Sequence, residues 1–196
     1  MTSPSKKFAL FASGRGSNAM AIVEYLRTDN LWPKFILSNK KAAKVLDSAK
    51  VLGLKTIVIE NTNPREIQED QIMRELAQHK IELVFLAGYM RVLSKSFVDQ
   101  AKSNNITIIN IHPSLLPKFP GLHAYERAWE ERVCEHGVTV HYVDAGVDTG
   151  KIIEQVRFSC EEIDSFEDFV GEGLKHEHQI YPRVAKEFIL GHRNVL

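Results

Sequence analysis

The chain has 196 residues, 44% of them hydrophobic, with 25 Lys and Arg balanced by 25 Asp and Glu, enough to bury the core of one compact domain and without the charge excess of a nucleic-acid or membrane-surface binder. Its two cysteines, Cys134 and Cys160, form no C-x-x-C pair, so neither a disulfide frame nor a zinc knuckle is expected and a reducing cytoplasm is the expected compartment. The opening MTSPSKKFALFAS has too short an apolar run for a signal peptide, and no stretch approaches the ~20 residues of a membrane span.

In chain order, KFALFAS (residues 7–13) reads as a strand, SGRGSN (13–18) as a glycine-rich turn, and residues 19–27 as a helix carrying Ile22, Val23 and Leu26. KFILSN (34–39) is a second strand, followed by a helix over 40–53 that Gly53 closes. KTIVI (55–59) is a third strand, and residues 64–80 form a third helix with Pro64 near its first turn. ELVFLAG (82–88) and ITIINIH (106–112) are apolar fourth and fifth strands. Apolar strands alternating with helices predict an α/β fold, a doubly wound and mostly parallel twisted sheet with helices on both faces.

After Pro120 the pattern changes. AYERAWEE (124–131) reads as a short helix, GVTVHYV (137–143) as an alternating strand, DAGVDTG (144–150) as a turn and KIIEQVRF (151–158) as a strand, together an antiparallel C-terminal addition to the sheet. Ser165 and Asp168 have capping-box spacing and open a long final helix. Its apolar stripe runs through Phe166, Phe169, Val170, Leu174, Tyr181, Val184 and Phe188, and Pro182 is expected to kink it. With no repeat or linker, residues 1–196 make a single domain.

Five groups of residues stand out. In NIHPSLLPKFPG (110–121), period-2 geometry puts Ile106, Ile108, Asn110 and His112 on one strand face, and Pro113 ends the strand. The two polar side chains at its carboxyl end form either a site or a cap on loop backbone. The SGRGSN turn, with Gly14 and Gly16 before a helix start, exposes N–H groups to a phosphate. With Ala19 it also fits G-x-G-x-x-A, but the second strand ends in Ser38 and Asn39 instead of the acid a dinucleotide site wants, and an empty turn is the third alternative. Asp144 and Asp148 either cap their own turn or join Asn110 and His112, where an Asp near an imidazole raises its pKa. Glu177 falls on the apolar stripe of the last helix, so it either meets a hydroxyl-bearing ligand or is solvated where the stripe drifts. GYMRVLS (88–94) supplies Met90, Arg91, Val92 and Leu93 as either core or the wall of a flat heterocycle site. The histidines, including His141 and the His176/His178 pair, lack metal-ligand spacing, and no metal is expected.

SGRGSN, AGYMRVLS, NIHPSLLPKFPGLHA, HYVDAGVDTG and EHQIYP, in this order and spacing, resemble the folate-dependent formyltransferases, and among them the phosphoribosylglycinamide formyltransferases of purine synthesis. The resemblance runs from about residue 7 to residue 189. It implies a Rossmann-like formyltransferase fold and transfer of a formyl group from 10-formyltetrahydrofolate to the amine of glycinamide ribonucleotide. It implies a phosphate-binding half over 1–112 and a folate and catalytic-loop half over 113–196, acting on small molecules as a monomer or homodimer. By the same resemblance Asn110, His112 and Asp148 are catalytic, Gly16, Ser17 and Asn18 hold the phosphate, and Glu177 holds the ribose. Arg65, Met90, Arg91, Val92, Leu93, Val143 and Asp144 then surround the folate. Lys151 follows the DTG turn where the family usually has proline, a departure that bears on the loop and not on the trio. Methionyl-tRNA formyltransferases share NIH, SLLP and the DTG turn but carry an RNA-binding domain and a basic face, and formyltetrahydrofolate hydrolases an extra N-terminal domain. This chain has the length and charge of neither, and a dinucleotide-binding oxidoreductase is the remaining, different class.

Overall fold

The computed structural model describes residues 5–193. Seven strands make one sheet in the order β3-β2-β1-β4-β5-β6-β7. They are β1 (Phe8–Phe11), β2 (Ile36–Ser38), β3 (Thr56–Val58), β4 (Leu83–Leu86), β5 (Thr107–His112), β6 (Glu135–Tyr142) and β7 (Ile152–Ser159). The helices are α1 (Ser17–Leu26), α2 (Lys44–Val51), α3 (Arg65–Gln78), α4 (Lys95–Ser103), α5 (Ala124–Glu130) and α6 (Phe166–Ile189). Pairing is parallel from β3 through β5, and β6 and β7 are antiparallel additions at the C-terminal edge, as the sequence pattern predicts.

Strand side chains alternate between the faces and helices cover both faces of the central strands, which is why β1 and β4 are apolar and buried along their whole length. Leu10, Phe85, Ile109 and Ile111 pack with Ile22 of α1, Val45 of α2 and Val184 of α6. Phe11, Val84, Leu86 and Ile108 pack on the opposite face with Ile72 of α3 and Phe97 of α4. Asn110 and His112 continue the Ile108 face, so they project on the side of α3 and α4.

Helix α4 is missing from the elements read off the sequence. It is required physically, because two parallel neighbours such as β4 and β5 cannot be joined by a tight hairpin and need a crossover. The local signals were Phe97 and Ala101 on one buried face and Ser94 as N-cap, whose Oγ accepts from the Phe97 amide at 3.1 Å. Such a cap contributes ~1 kcal/mol. Other boundaries differ for local reasons. Helix α1 begins already at Ser17 because Gly16 takes the N-cap position, α2 begins at Lys44 because Ala43 is still extended, and Pro64 is the N-cap of α3.

The buried stripe of α6 also differs from the one predicted. Phe169, Gly173, Glu177, Tyr181, Val184 and Phe188 are buried, whereas Phe166 is exposed and Val170 and Leu174 are half-buried. The stripe passes through a glycine and a glutamate, which hydrophobicity alone does not reveal. Helix α6 remains one helix through Pro182. The Tyr181 hydroxyl lies 2.9 Å from the carbonyls of both Leu86 and Ile109, pinning α6 to the ends of β4 and β5 beside Asn110.

Candidate active site

In a doubly wound sheet the crevice opens at the carboxyl ends of the strands where successive connections leave in opposite directions, here between β1 and β4. The two loops that leave there are tied together. The Ser13 amide donates to the Gly88 carbonyl at 3.0 Å, and the Met90 amide donates to Ser13 Oγ at 2.7 Å. Ser13 in turn donates to Asn39 Oδ1 at 2.5 Å, and Asn39 Nδ2 donates to Asn61 at 3.0 Å. Both halves of the Asn39 amide are thus engaged at the end of β2, where a dinucleotide site wants a free acid for the ribose.

The glycine turn follows β1 directly. Gly16 has φ +73°, and a Cβ there would stand 2.3 Å from Val45 Cγ2. Only glycine meets both demands, the left-handed backbone and the close approach of α2. No side chain caps the first turn of α1 and no acid lies in it, so its N–H groups stay available to an anion.

Asn110, His112 and Asp148 come together at the end of β5. Asn110 Nδ2 lies 3.4 Å from Asp148 Oδ1, and His112 Nδ1 lies 3.2 Å from Asp148 Oδ2. The Gly121 amide donates to Asp148 Oδ2 at 2.7 Å, which locks the DTG turn onto the loop after β5. Asp148 itself sits at φ +55°. Burial pushes its carboxyl pKa up, but the His141 and His112 rings beside it and the Gly121 amide outweigh this, and the net direction is down.

His112 has an acceptor at each ring nitrogen, since Nε2 donates to the Phe119 carbonyl at 2.8 Å. That arrangement suits the imidazolium. Burial nevertheless dominates and lowers its pKa, against the Asp148 charge and the Phe119 carbonyl, which raise it. The aspartate acts upward, as expected from the sequence, and burial outweighs it. The ring is 5% exposed, so the cost of desolvating the cation is the larger effect.

His141 is the residue of this cluster that sequence reasoning missed. It pairs across the β5–β6 ladder with Asn110, as Thr139 does with His112, so its ring shares their face. Its Nδ1 donates to the Tyr142 carbonyl at 2.8 Å, leaving Nε2 to accept from Asn110 Nδ2 at 3.1 Å and to face Asp148 Oδ1 at 3.5 Å. A register irregularity in the β6–β7 pairing falls at Val140 and His141. The signal was present in the V-T-V-H alternation of β6, which puts Thr139 and His141 opposite the apolar valines.

Glu177 is buried and has two neutral donors. Asn18 Nδ2 bonds Oε2, and the Tyr125 hydroxyl donates to Oε1 at 2.6 Å. Burial raises the Glu177 pKa, and these two hydrogen bonds act against it. The side chain of Asn18 is therefore turned to the glutamate, and only its backbone is left to the start of α1.

The loop after β4 divides its side chains. Leu93 is in the core, whereas Met90 and Val92 are exposed apolar side chains, as are Leu122 and Val147 on the two loops beyond β5 and β6. An uncovered apolar rim at the mouth of a polar cluster fits a flat heterocycle. Arg65 donates to the Val92 carbonyl at 3.3 Å, and Glu69, unremarked in the sequence, accepts from the Ser94 amide at 2.8 Å and from its hydroxyl. Arg91 is half-buried with its Nε unbonded, and Val143 packs against the core. Asp144 turns into its own loop, accepting from the Gly146 amide at 3.0 Å and the Thr149 hydroxyl at 2.7 Å. The carbonyl of Lys151 accepts from the Tyr142 amide at 3.0 Å, a bond that proline at this position would also make.

Among the described residues no group of three or more His, Cys, Asp and Glu side chains could hold a metal ion, and no helix is long and apolar enough to cross a membrane. The formyl transferase family model matches residues 6–185. Phosphoribosylglycinamide formyltransferase of Bacillus subtilis (strain 168) is 41% identical over 189 residues, 94% of this chain and 95% of the relative. The protein of the same name from Escherichia coli (strain K12) is 36% identical over 183 residues, 91% of this chain and 85% of the relative. The crystal structure of phosphoribosylglycinamide formyltransferase from Streptococcus pneumoniae TIGR4 superposes with a TM-score of 0.86 at 38% identity, over 93% of this chain and 98% of that one. A polar trio held at the mouth of a doubly wound sheet, together with a family match over nearly the whole length, places this chain in the formyl transferase family.

Proposed function

We infer that this protein transfers a formyl group from 10-formyltetrahydrofolate to the amine of glycinamide ribonucleotide, a step of purine biosynthesis. The observation that carries the reading is the convergence of Asn110, His112 and Asp148 on one point beside an anion-ready helix start and an apolar rim. The folate supplies an activated formyl group, and Met90, Arg91, Val92 and Val143, with Arg65 near its acidic tail, are the residues to hold it. Asp144 serves this surface through the shape of its loop. The backbone of Gly16, Ser17 and Asn18 holds the phosphate, and Glu177 the ribose.

Attack of a neutral amine on a formyl carbon leaves negative charge on the formyl oxygen, and the donors that meet it are Asn110 Nδ2 and the His112 ring. In the free protein both are engaged with protein acceptors, Asn110 with His141 and Asp148, His112 with Phe119 and Asp148. Substrate binding therefore exchanges a protein acceptor for the formyl oxygen at each donor. The new negative charge favours the imidazolium that burial disfavours in the free protein. Asp148, ionised by its low pKa, orients the ring and a water that relays the amine proton to the folate nitrogen as the bond from that nitrogen to the formyl carbon breaks and the formyl oxygen regains its double bond. No covalent enzyme intermediate, metal or nucleic acid is needed. The chain acts as one cytoplasmic domain, as a monomer or homodimer.

The deciding experiment mixes the protein with 10-formyltetrahydrofolate and compares formyl loss with glycinamide ribonucleotide, methionyl-tRNA and water alone. Turnover with the ribonucleotide is expected. Equal loss in water, or preference for the tRNA, would replace this reading with one of its relatives.

A further inference from the structure

The hydrogen-bond partners of Glu177 are an amide and a phenol, with His178 the charge-bearing side chain near it. Asn18 reaches it from the first turn of α1, and Tyr125 from α5, the helix that follows the loop holding His112 and Asp148. The carboxylate thus joins the glycine turn, α5 and α6 at one point.

The Tyr125 contact is built into the chain. Gly173 lies one turn before Glu177 on α6, and a Cβ there would stand 2.1 Å from the Tyr125 hydroxyl. The phenol reaches the carboxylate only because residue 173 has no side chain. Its ring is fixed independently, edge-on to Phe169 at 5.8 Å and tilted against His136 at 5.6 Å. Asn18 gives the second indication. Because a carboxylate only accepts, Asn18 must present its NH2 to Glu177, and its Oδ1 is left buried without a donor. A phosphate ionised at neutral pH has little hydrogen to offer that atom, whereas a sugar hydroxyl has one.

We propose that Tyr125 is the positioning residue of the sugar-reading carboxylate: its hydroxyl fixes one oxygen of Glu177, so that Glu177 and Asn18 Oδ1 are presented together as acceptors for the two vicinal hydroxyls of the ribonucleotide. This rests on the reading above in which Glu177 takes the ribose. Tyr125 acts through Glu177 and need not touch the substrate. Without the phenol the carboxylate keeps one donor, gains freedom to rotate and meets the diol less well.

The test compares steady-state kinetics of the wild type, Tyr125→Phe, Gly173→Ala and Glu177→Gln with glycinamide ribonucleotide, its 2′-deoxyribose analogue and 10-formyltetrahydrofolate. Tyr125→Phe keeps the ring and its packing. It is expected to raise the KM for the ribonucleotide about tenfold, the scale of one hydrogen bond to a charged group. The folate KM and kcat should stay unchanged, and preference for the ribose over the deoxyribose form should shrink. Gly173→Ala, which keeps the phenol but displaces it, is expected to do the same. An unchanged ribonucleotide KM in both folded variants, or an equal rise in the KM of both substrates, overturns the role of Tyr125. A Glu177→Gln enzyme with an unaltered ribonucleotide KM, or a wild type that does not use the ribonucleotide, removes the underlying reading and the proposal with it. Loss in Glu177→Gln without loss in Tyr125→Phe removes the proposal alone.

Discussion

Asp148 Oδ2 stands 3.2 Å from His112 Nδ1 and 2.7 Å from the Gly121 amide, so one carboxylate oxygen holds both the imidazole and the loop that follows it. Asp148→Asn keeps an acceptor for the amide and removes the charge. The expected result is a loss of ~10²–10⁴ in kcat, the range of a general acid–base group, with a nearly unchanged folate KM. Rates within a few-fold of wild type would show that the charge has no part in the chemistry.

Asn110→Ala and His112→Ala each remove one donor at the point where charge develops. Each is expected to slow formyl transfer by ~10²–10³ while leaving the unfolding midpoint close to wild type. His141→Ala frees the Asn110 amide from one acceptor and should have a smaller effect on rate. Wild-type turnover in either of the first two variants would remove them from the mechanism.

Gly16→Ala introduces a Cβ at φ +73° and 2.3 Å from Val45, and both effects are destabilising. Strain of this kind costs ~1–3 kcal/mol. Inorganic phosphate should compete with the ribonucleotide and not with the folate in the wild type, and lose this effect in the variant. Competition against folate alone would place the anion elsewhere.

His136 is buried among aromatic rings, and its Nε2 donates to the Pro113 carbonyl at 2.9 Å. Burial pushes its pKa from 6.5 down to about 4. The folded value lies below the unfolded one, so the unfolded chain takes the proton first. Stability is full above 6.5 and falls as pH drops towards about 4, by about 3 kcal/mol in all. The lowered pKa of His112 acts in the same direction below 6.5. The contribution of Asp148 is present above 3.8 and is lost only as pH falls through its still lower folded value. His136→Gln should therefore lose less stability than wild type between about pH 7 and about pH 5, read from urea midpoints. Parallel losses would show that His136 is not the group that titrates.

Glu69 holds the Ser94 end of the loop that carries Met90 and Val92. Glu69→Ala is expected to raise the folate KM several-fold, with less effect on the ribonucleotide, because the loop loses an anchor worth ~1.5–3 kcal/mol. Unchanged folate binding would mean that Arg65 and the bond of Met90 to Ser13 are sufficient anchors.

Local sequence determined the strands, their parallel order of use, the glycine turn and the polar pair ending β5, because period-2 alternation, glycine and proline act over a few residues. Asn110 and His112 were legible for that reason, and Asp148 was preferred over Asp144 by its motif. Helix α4 was missed although its cap and stripe were present, since the need for it arises only once β4 and β5 are known to be parallel neighbours. His141, Tyr125 and Glu69 were silent for a different reason. Each gains its meaning from a partner on another element: His141 from the cross-strand register, Tyr125 from a glycine on α6, Glu69 from a loop beyond β4. The direction of the His112 pKa likewise depends on how much protein surrounds the ring, a quantity no spacing of residues encodes, and only the tertiary structure decided it.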